Sequence, residues 1–212
     1  MRTIPATLLA LLFLSNVSSA GEAPANSEVA LVDSFERTEL GSGWNANAGN
    51  WRIVDGVLRG SEIAADKHAA AARRVVETKD AVYQLKFRLT DSAKAFHFGF
   101  DPARGELQKK GHLFSVVITP HSWQLLKHAD KNHPKADPNE TLAEQKTNFT
   151  LGEWYSLRVT TWGPYVTARV EGKDSLKASH PTFGVKKPTL VFRCVGDGVE
   201  IDDIQVWTPR QK

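Results

Sequence analysis

The chain has 212 residues, 41% of them hydrophobic, enough for one domain with a substantial core. Its 27 Lys and Arg against 24 Asp and Glu leave a net charge of +3, spread along the chain, which argues against a nucleic-acid partner. The single cysteine, Cys194, excludes an internal disulfide, and after residue 20 no apolar run approaches the roughly 20 residues of a membrane helix.

Residues 1–20 read as a secretory signal peptide, with Arg2, an apolar stretch over 8–14, and the small-residue pattern Ser18-Ser19-Ala20. The mature protein is therefore expected to be secreted or periplasmic. Residues 21–28 read as a polar linker, 29–208 as one domain and 209–212 as a tail. Cys194 lies in the apolar run 190–195 and reads as a buried structural thiol.

The domain opens with an edge strand over 29–35. Trp44 and Trp51 read as core anchors. Asp55-Gly56 between two apolar runs is a two-residue hairpin turn, because such a turn needs positive φ. The Ala-rich stretch 61–74 reads as a turn leading into a strand, with His68 on the surface. Over 81–89, Tyr83, Leu85 and Phe87 alternate with Gln84, Lys86 and Arg88, the pattern of a half-buried strand. The same alternation puts Phe96, Phe98 and Phe100 on one face of the next strand and His97 and Asp101 on the other. A turn-rich loop over 102–110 leads to strands over 112–119 and 123–126.

A charged excursion follows, 128–153. In it, Asp137-Pro138-Asn139-Glu140 matches a capping box with Pro at the first helical position, so a short helix is expected over 138–146. Tyr155, Leu157 and Val159 alternate inward in the next strand, and Gly163-Pro164 and Gly172 mark turns. Two strands close the domain, over 190–195 and 199–207. The inward phase changes from odd to even numbers along the last one, which predicts a bulge at Asp202-Asp203. About ten or eleven strand signals at this spacing specify an all-β antiparallel sandwich with one short helix in a long loop.

Four motifs carry a resemblance. Asp33-Ser34-Phe35, the stretch from Trp51 through Asp55-Gly56 to Leu58, Gly152-Glu153-Trp154-Tyr155 and the terminal Ile201-Asp202-Asp203-Ile204 resemble the concanavalin A-like, laminin G-like sandwiches. More narrowly, residues 29–208 resemble the 3-keto-disaccharide hydrolase domain family. The resemblance implies a secreted jelly roll of two curved antiparallel sheets, some of whose members act on oxidised glycosides. It carries over no catalytic residue. Where that family has a Leu-Phe-x-Gly-Lys opening this chain has Leu31 to Glu36, and Phe96–Asp101 and the His112–Thr119 stretch stand in place of its mid-domain motifs.

A ketone at C3 of a sugar acidifies the proton at C2, and removing it expels the C1 substituent. That chemistry needs a base and a stabiliser for the enolate oxygen. His97, Asp101 and His112 are the candidate catalytic residues, since one loop joins the strands that bear them. Lys86, Arg88, Lys110 and His121 are the candidate substrate-binding residues. Two other readings stay open: a divalent metal among His128, His133, Asp130 and Asp137, or calcium at Asp202-Asp203, against a solvated loop and a plain bulge. The expected partner is a carbohydrate or glycoside, and the alternative to an enzyme is a non-catalytic carbohydrate-binding or surface-interaction module. His97, Asp101 and His112 are expected to line a groove with the 127–153 excursion at its rim.

Overall fold

Alternation of apolar and polar residues builds nearly every element, and the sheets follow from which faces must be hidden. The computed structural model describes residues 22–210. The expected signal peptide lies outside them. Among the described residues, fourteen strands and two short 3-10 turns account for the regular structure.

Sheet A contains β1 (Ser27–Asp33), β3 (Asn50–Val54), β4 (Val57–Ser61), β6 (Ala81–Leu89), β11 (Trp154–Trp162), β12 (Tyr165–Val170) and β13 (Leu176–Ser179). Sheet B contains β2 (Trp44–Ala48), β5 (Ala70–Thr78), β7 (Ala93–Asp101), β8 (Phe114–Thr119), β9 (Ser122–Lys127) and β10 (Glu140–Lys146). β14 (Lys187–Pro209) runs through both. All pairings are antiparallel, and β1 begins at Ser27, inside the expected linker. The 61–74 stretch is a 3-10 turn at Ala64–Asp66 leading into β5, with His68 exposed.

The two sequence strands at 190–195 and 199–207 are one strand that changes sheet. Its first half lies between β5 and β7, its second between β6 and the pair β4 and β1. The handover is at Gly196 and Gly198, with φ of +84° and +89°. A Cβ at Gly198 would run into the side chain of Thr90, and one at Gly196 into the backbone of Ser92. Gly198→Ala combines that collision with a left-handed backbone, so it is expected to destabilise the fold by roughly 1–3 kcal/mol. A urea midpoint unchanged from wild type would show that the crossing tolerates a side chain. The anticipated bulge is present: the β14–β6 register shifts between Asp202 and Gln205, with Asp203 at φ +49°.

The core lies between the sheets. Phe96, Phe98 and Phe100 of β7 point inward, where Phe87 meets Phe96 at 5.6 Å and Tyr83 meets Phe100 at 4.7 Å. Leu157 and Val159 complete the layer from β11. Trp51 is buried, and Trp44 packs at 5.6 Å on Phe35 and 5.3 Å on Phe192. Asp55 and Gly56 both have positive φ at the β3–β4 turn, as that hairpin requires. Cys194 is fully buried, and desolvation pushes its thiol up to about 11, so it behaves as a small core residue.

One expectation fails. The helix over 138–146 is instead β10, which pairs with the free edge of β9 from Glu140 opposite Lys127 to Lys146 opposite Ser122. The capping residues have other partners. Asp137 takes the buried ammonium of Lys127, and Asn139 Oδ1 accepts from the Ala129 amide at 2.8 Å. Covering an open strand edge outweighs a local helix signal.

Candidate functional site

The outer face of sheet B, turned away from sheet A, collects the polar residues of β5, β7, β8, β14 and the loops after β7 and β9. Because the Phe residues of β7 fill the core, His97 and Asp101 must face outward. Asp101 ends β7, and His112 returns just before β8. His112 Nδ1 lies 2.6 Å from Asp101 Oδ1. Arg73 Nε donates to Asp101 Oδ2 at 2.8 Å, and Thr189 Oγ1 donates to the same oxygen at 3.2 Å. Burial alone would raise the carboxyl's pKa; the bonds from His112 and Arg73 outweigh it and hold it down to about 2.

Asp101 fixes His112 as a base is fixed. With Nδ1 turned to a carboxylate, the imidazole presents Nε2 outward. The His112 ring stands edge-on to His128 at 5.3 Å. His128 Nε2 is held by Ser115 Oγ at 2.8 Å. Gly99 lets that happen, since a Cβ there would collide with the Ser115 hydroxyl.

His97 shares the face but not the bond network. It is paired across the sheet with Arg193 on one side and Val117 on the other. His97 Nδ1 and Arg193 Nε are buried without a hydrogen-bond partner. Such orphans are rare in folded proteins. Desolvation, then the charge of Arg193, lowers His97 to about 4. Desolvation, then His112, lowers His128 to about 3.

These histidines make the domain acid-sensitive. The unfolded chain protonates them near pH 6.5, whereas the fold keeps them neutral to about 4 and about 3. Stability is therefore expected to fall as pH drops below about 6.5, with Asp101 adding to the loss between about 3.9 and about 2. His128→Gln should flatten the decline between pH 6.5 and 4. Urea midpoints measured from pH 7 to pH 4 check this, and a midpoint that rises on acidification contradicts it.

The other sequence candidates fall in three places. Lys110 belongs to the site: its backbone accepts from the Lys131 amide at 2.8 Å, and its amide donates to Asp130 Oδ1 at 3.0 Å, which ties the 102–112 loop to the 128–137 loop. Lys86 and Arg88 do not. They project outward from β6 in sheet A, where Lys86 pairs with Asp203 at 2.8 Å and Arg88 with Glu200 and the Trp154 ring. His121 sits in the β8–β9 turn, at the far end of the hairpin from Asp101, near Asn148.

The residues of the metal readings have other partners. Among the described residues no group of three or more His, Cys, Asp or Glu is placed to hold an ion. His128 is bound to Ser115, Asp130 to two backbone amides, and Asp137 to Lys127. At the β14 bulge, Asp203 pairs with Lys86, and burial raises Asp202 to about 6. Sequence reasoning missed Arg73, Arg193 and Ser115 as members of the site. Arg193 was visible in principle, being the single cation in the apolar run 190–195, with Phe192 and Cys194 turned inward beside it.

No family model matches the chain, and no curated protein matches it. Solved structures match its fold. A carbohydrate-binding module, CBM66 of Bacillus subtilis, is 14% identical with a TM-score of 0.61, over 76% of this chain and 93% of that one. The non-specific endo-β-1,3(4)-glucanase SCLam of family GH16 is 10% identical with a TM-score of 0.67, over 90% and 94%. A structure reported among endo-acting O-glycanases of the human gut microbiota is 13% identical with a TM-score of 0.65, over 86% and 100%. The fold is thus an antiparallel jelly-roll sandwich of the concanavalin A-like kind.

Proposed function

We propose that this domain is carbohydrate-active, holding a glycoside across the outer face of sheet B with His112 as the base. The observation that carries the reading is the 2.6 Å bond from His112 Nδ1 to Asp101, which orients the imidazole and leaves Nε2 for chemistry. The fold likeness to a carbohydrate-binding module and to a glucanase supports a sugar as the ligand.

The reaction proposed is cleavage of a 3-keto-glycoside. His112 Nε2 takes the proton at C2 to give the enolate; the enolate electrons then form the C1=C2 double bond as the glycosidic C1–O bond breaks, and the leaving oxygen takes the bonding pair and the proton from His112. Lys110 on the adjoining loop is the cation proposed for the enolate oxygen. Water, giving its proton to His112, then adds at C1 as the C1=C2 bond opens to the enolate, and that proton is returned to C2 to restore the 3-keto sugar. Conventional hydrolysis by two flanking carboxylates fits less well, because Asp101 already accepts bonds from Arg73, His112 and Thr189. We place the protein outside the cytoplasm, on the signal-peptide pattern of residues 1–20.

A second reading has its own support. The likeness to CBM66 spans 93% of that module, and His97 and Arg193, neighbours across the sheet beside the His112–Asp101 pair, are polar side chains of the kind that hold a sugar without reacting. A panel of 3-keto-glycosides separates the two readings. Turnover of at least one member, lost in His112→Asn, supports the enzyme. Binding without turnover of any member supports the module.

A further inference from the structure

Beside the Asp101–His112 pair, the 102–112 loop, with Arg73 and Lys131, lines an open cleft of about 490 Å³. That is within the roughly 300–1,000 Å³ of sites that take small ligands. Its charge is one-sided. Arg73, Arg104, Lys109, Lys110 and Lys131 set five cations against Asp101, the one carboxylate among its lining residues. Asp101 is already paired with Arg73 and hydrogen-bonded to His112.

The cations are not all of one kind. Lys109 is committed: Nζ donates to the His128 carbonyl at 2.6 Å and lies 3.6 Å from Asp137. Arg73 is committed to Asp101 and to Asn47 Oδ1. The side chains of Arg104, Lys110 and Lys131 are exposed, and no carboxylate pairs with them among the described residues. Their backbones are nevertheless anchored. Lys110 and Lys131 are joined by a backbone bond, and Ala103, next to Arg104, donates to the Lys186 carbonyl at 2.8 Å. Gly111, at φ +119°, lets the loop pass against Lys131, whose Cγ would lie 3.2 Å from a Cβ there. Three uncommitted cations on tied loops, converging on a cleft of sugar size, form a site for an oxyanion.

We propose that this cleft takes the anionic substituent, a carboxylate or a sulfate ester, of an acidic glycan, with the sugar ring extending past His112 onto the sheet. The inference rests on the glycan reading above and narrows it from glycosides in general to acidic ones. Leu107 and Pro102 on the cleft wall offer apolar surface for the ring, while Arg104, Lys110 and Lys131 meet the anion.

The test compares matched neutral and acidic oligosaccharides by titration calorimetry on the full chain. Four probes are used: a neutral gluco-oligosaccharide, its uronate counterpart, its sulfated counterpart and a DNA oligonucleotide of similar charge. Wild type is expected to bind at least one acidic sugar about tenfold more tightly than the neutral one at low salt, with the preference vanishing near about 1 M salt. The double variant Arg104→Gln, Lys131→Gln should lose the preference and keep the neutral affinity. Preference for the uronate or for the sulfated sugar identifies which anion is read, and either supports the proposal. Equal binding of neutral and acidic sugars overturns it while leaving the glycan reading intact. Binding of DNA as tight as that of the acidic sugars overturns it in favour of an unselective anion patch. Failure to bind any sugar overturns both.

Discussion

Replacing His112 by alanine is expected to cut turnover of a responsive keto-glycoside by about 10²–10⁴-fold, the usual contribution of a positioned base. Affinity for the same sugar should change by less than about tenfold, because the interaction removed acts in the transition state. The argument is geometric. His112 is held through Nδ1 by a carboxylate that the bonds from His112 and Arg73 keep ionised down to about 2 against the opposing effect of burial. Asp101→Asn should lower turnover in the same direction, since it removes the group that sets the tautomer while leaving a side chain of the same size. His97→Ala is expected to act differently. His97 makes no bond to the pair, so its loss should weaken binding more than turnover. Turnover and affinity both unchanged in His112→Ala would remove the base from the account.

Phe98→Ala is expected to destabilise the fold by about 3–5 kcal/mol, the range for truncating a fully buried Phe. Phe98 is fully inaccessible and packs against Phe100 at 5.2 Å, Phe192 at 5.4 Å and Tyr83 at 6.1 Å. Those neighbours come from β7, β14 and β6, so the cavity would open in the middle of the sandwich, where few side chains can move to fill it. Chemical denaturation measures the loss. The result bears on the site as well, because the inward phase of Phe98 is what turns His97 and Asp101 outward. An unfolding midpoint within error of wild type would mean that β7 faces the other way.

The strands that were legible are those with one face buried and one exposed. In β6 and β7 each inward residue declares its phase, and the phase switch near Asp202 marked the bulge correctly. The Asp55-Gly56 turn was equally plain, because positive φ restricts which residues can stand there. The failures have physical causes. Residues 138–146 carry a helix-start signal, but Asp137 is claimed by Lys127 and the segment by the edge of β9, and neither partner is local. Gly196 and Gly198 look like a turn between two strands. They are instead the point where one strand changes sheet, and only the positions of Ser92 and Thr90 reveal it. Alternation told that Lys86 and Arg88 face outward but not from which sheet, so they were grouped with a site on the opposite side of the molecule. Arg73 reaches Asp101 across 28 residues of sequence, a separation that periodicity carries no information about.

The central claim is that a glycan lies on the outer face of sheet B, over Asp101 and His112. Titrating labelled protein with the tightest-binding oligosaccharide and following amide and imidazole resonances by NMR tests it most directly. The account predicts shifts at His112, Asp101, His97, Arg193 and Lys110, with Lys86, Arg88 and the rest of the outer face of sheet A unmoved. Shifts confined to sheet A, with the His112 ring signals unchanged at saturation, would contradict it.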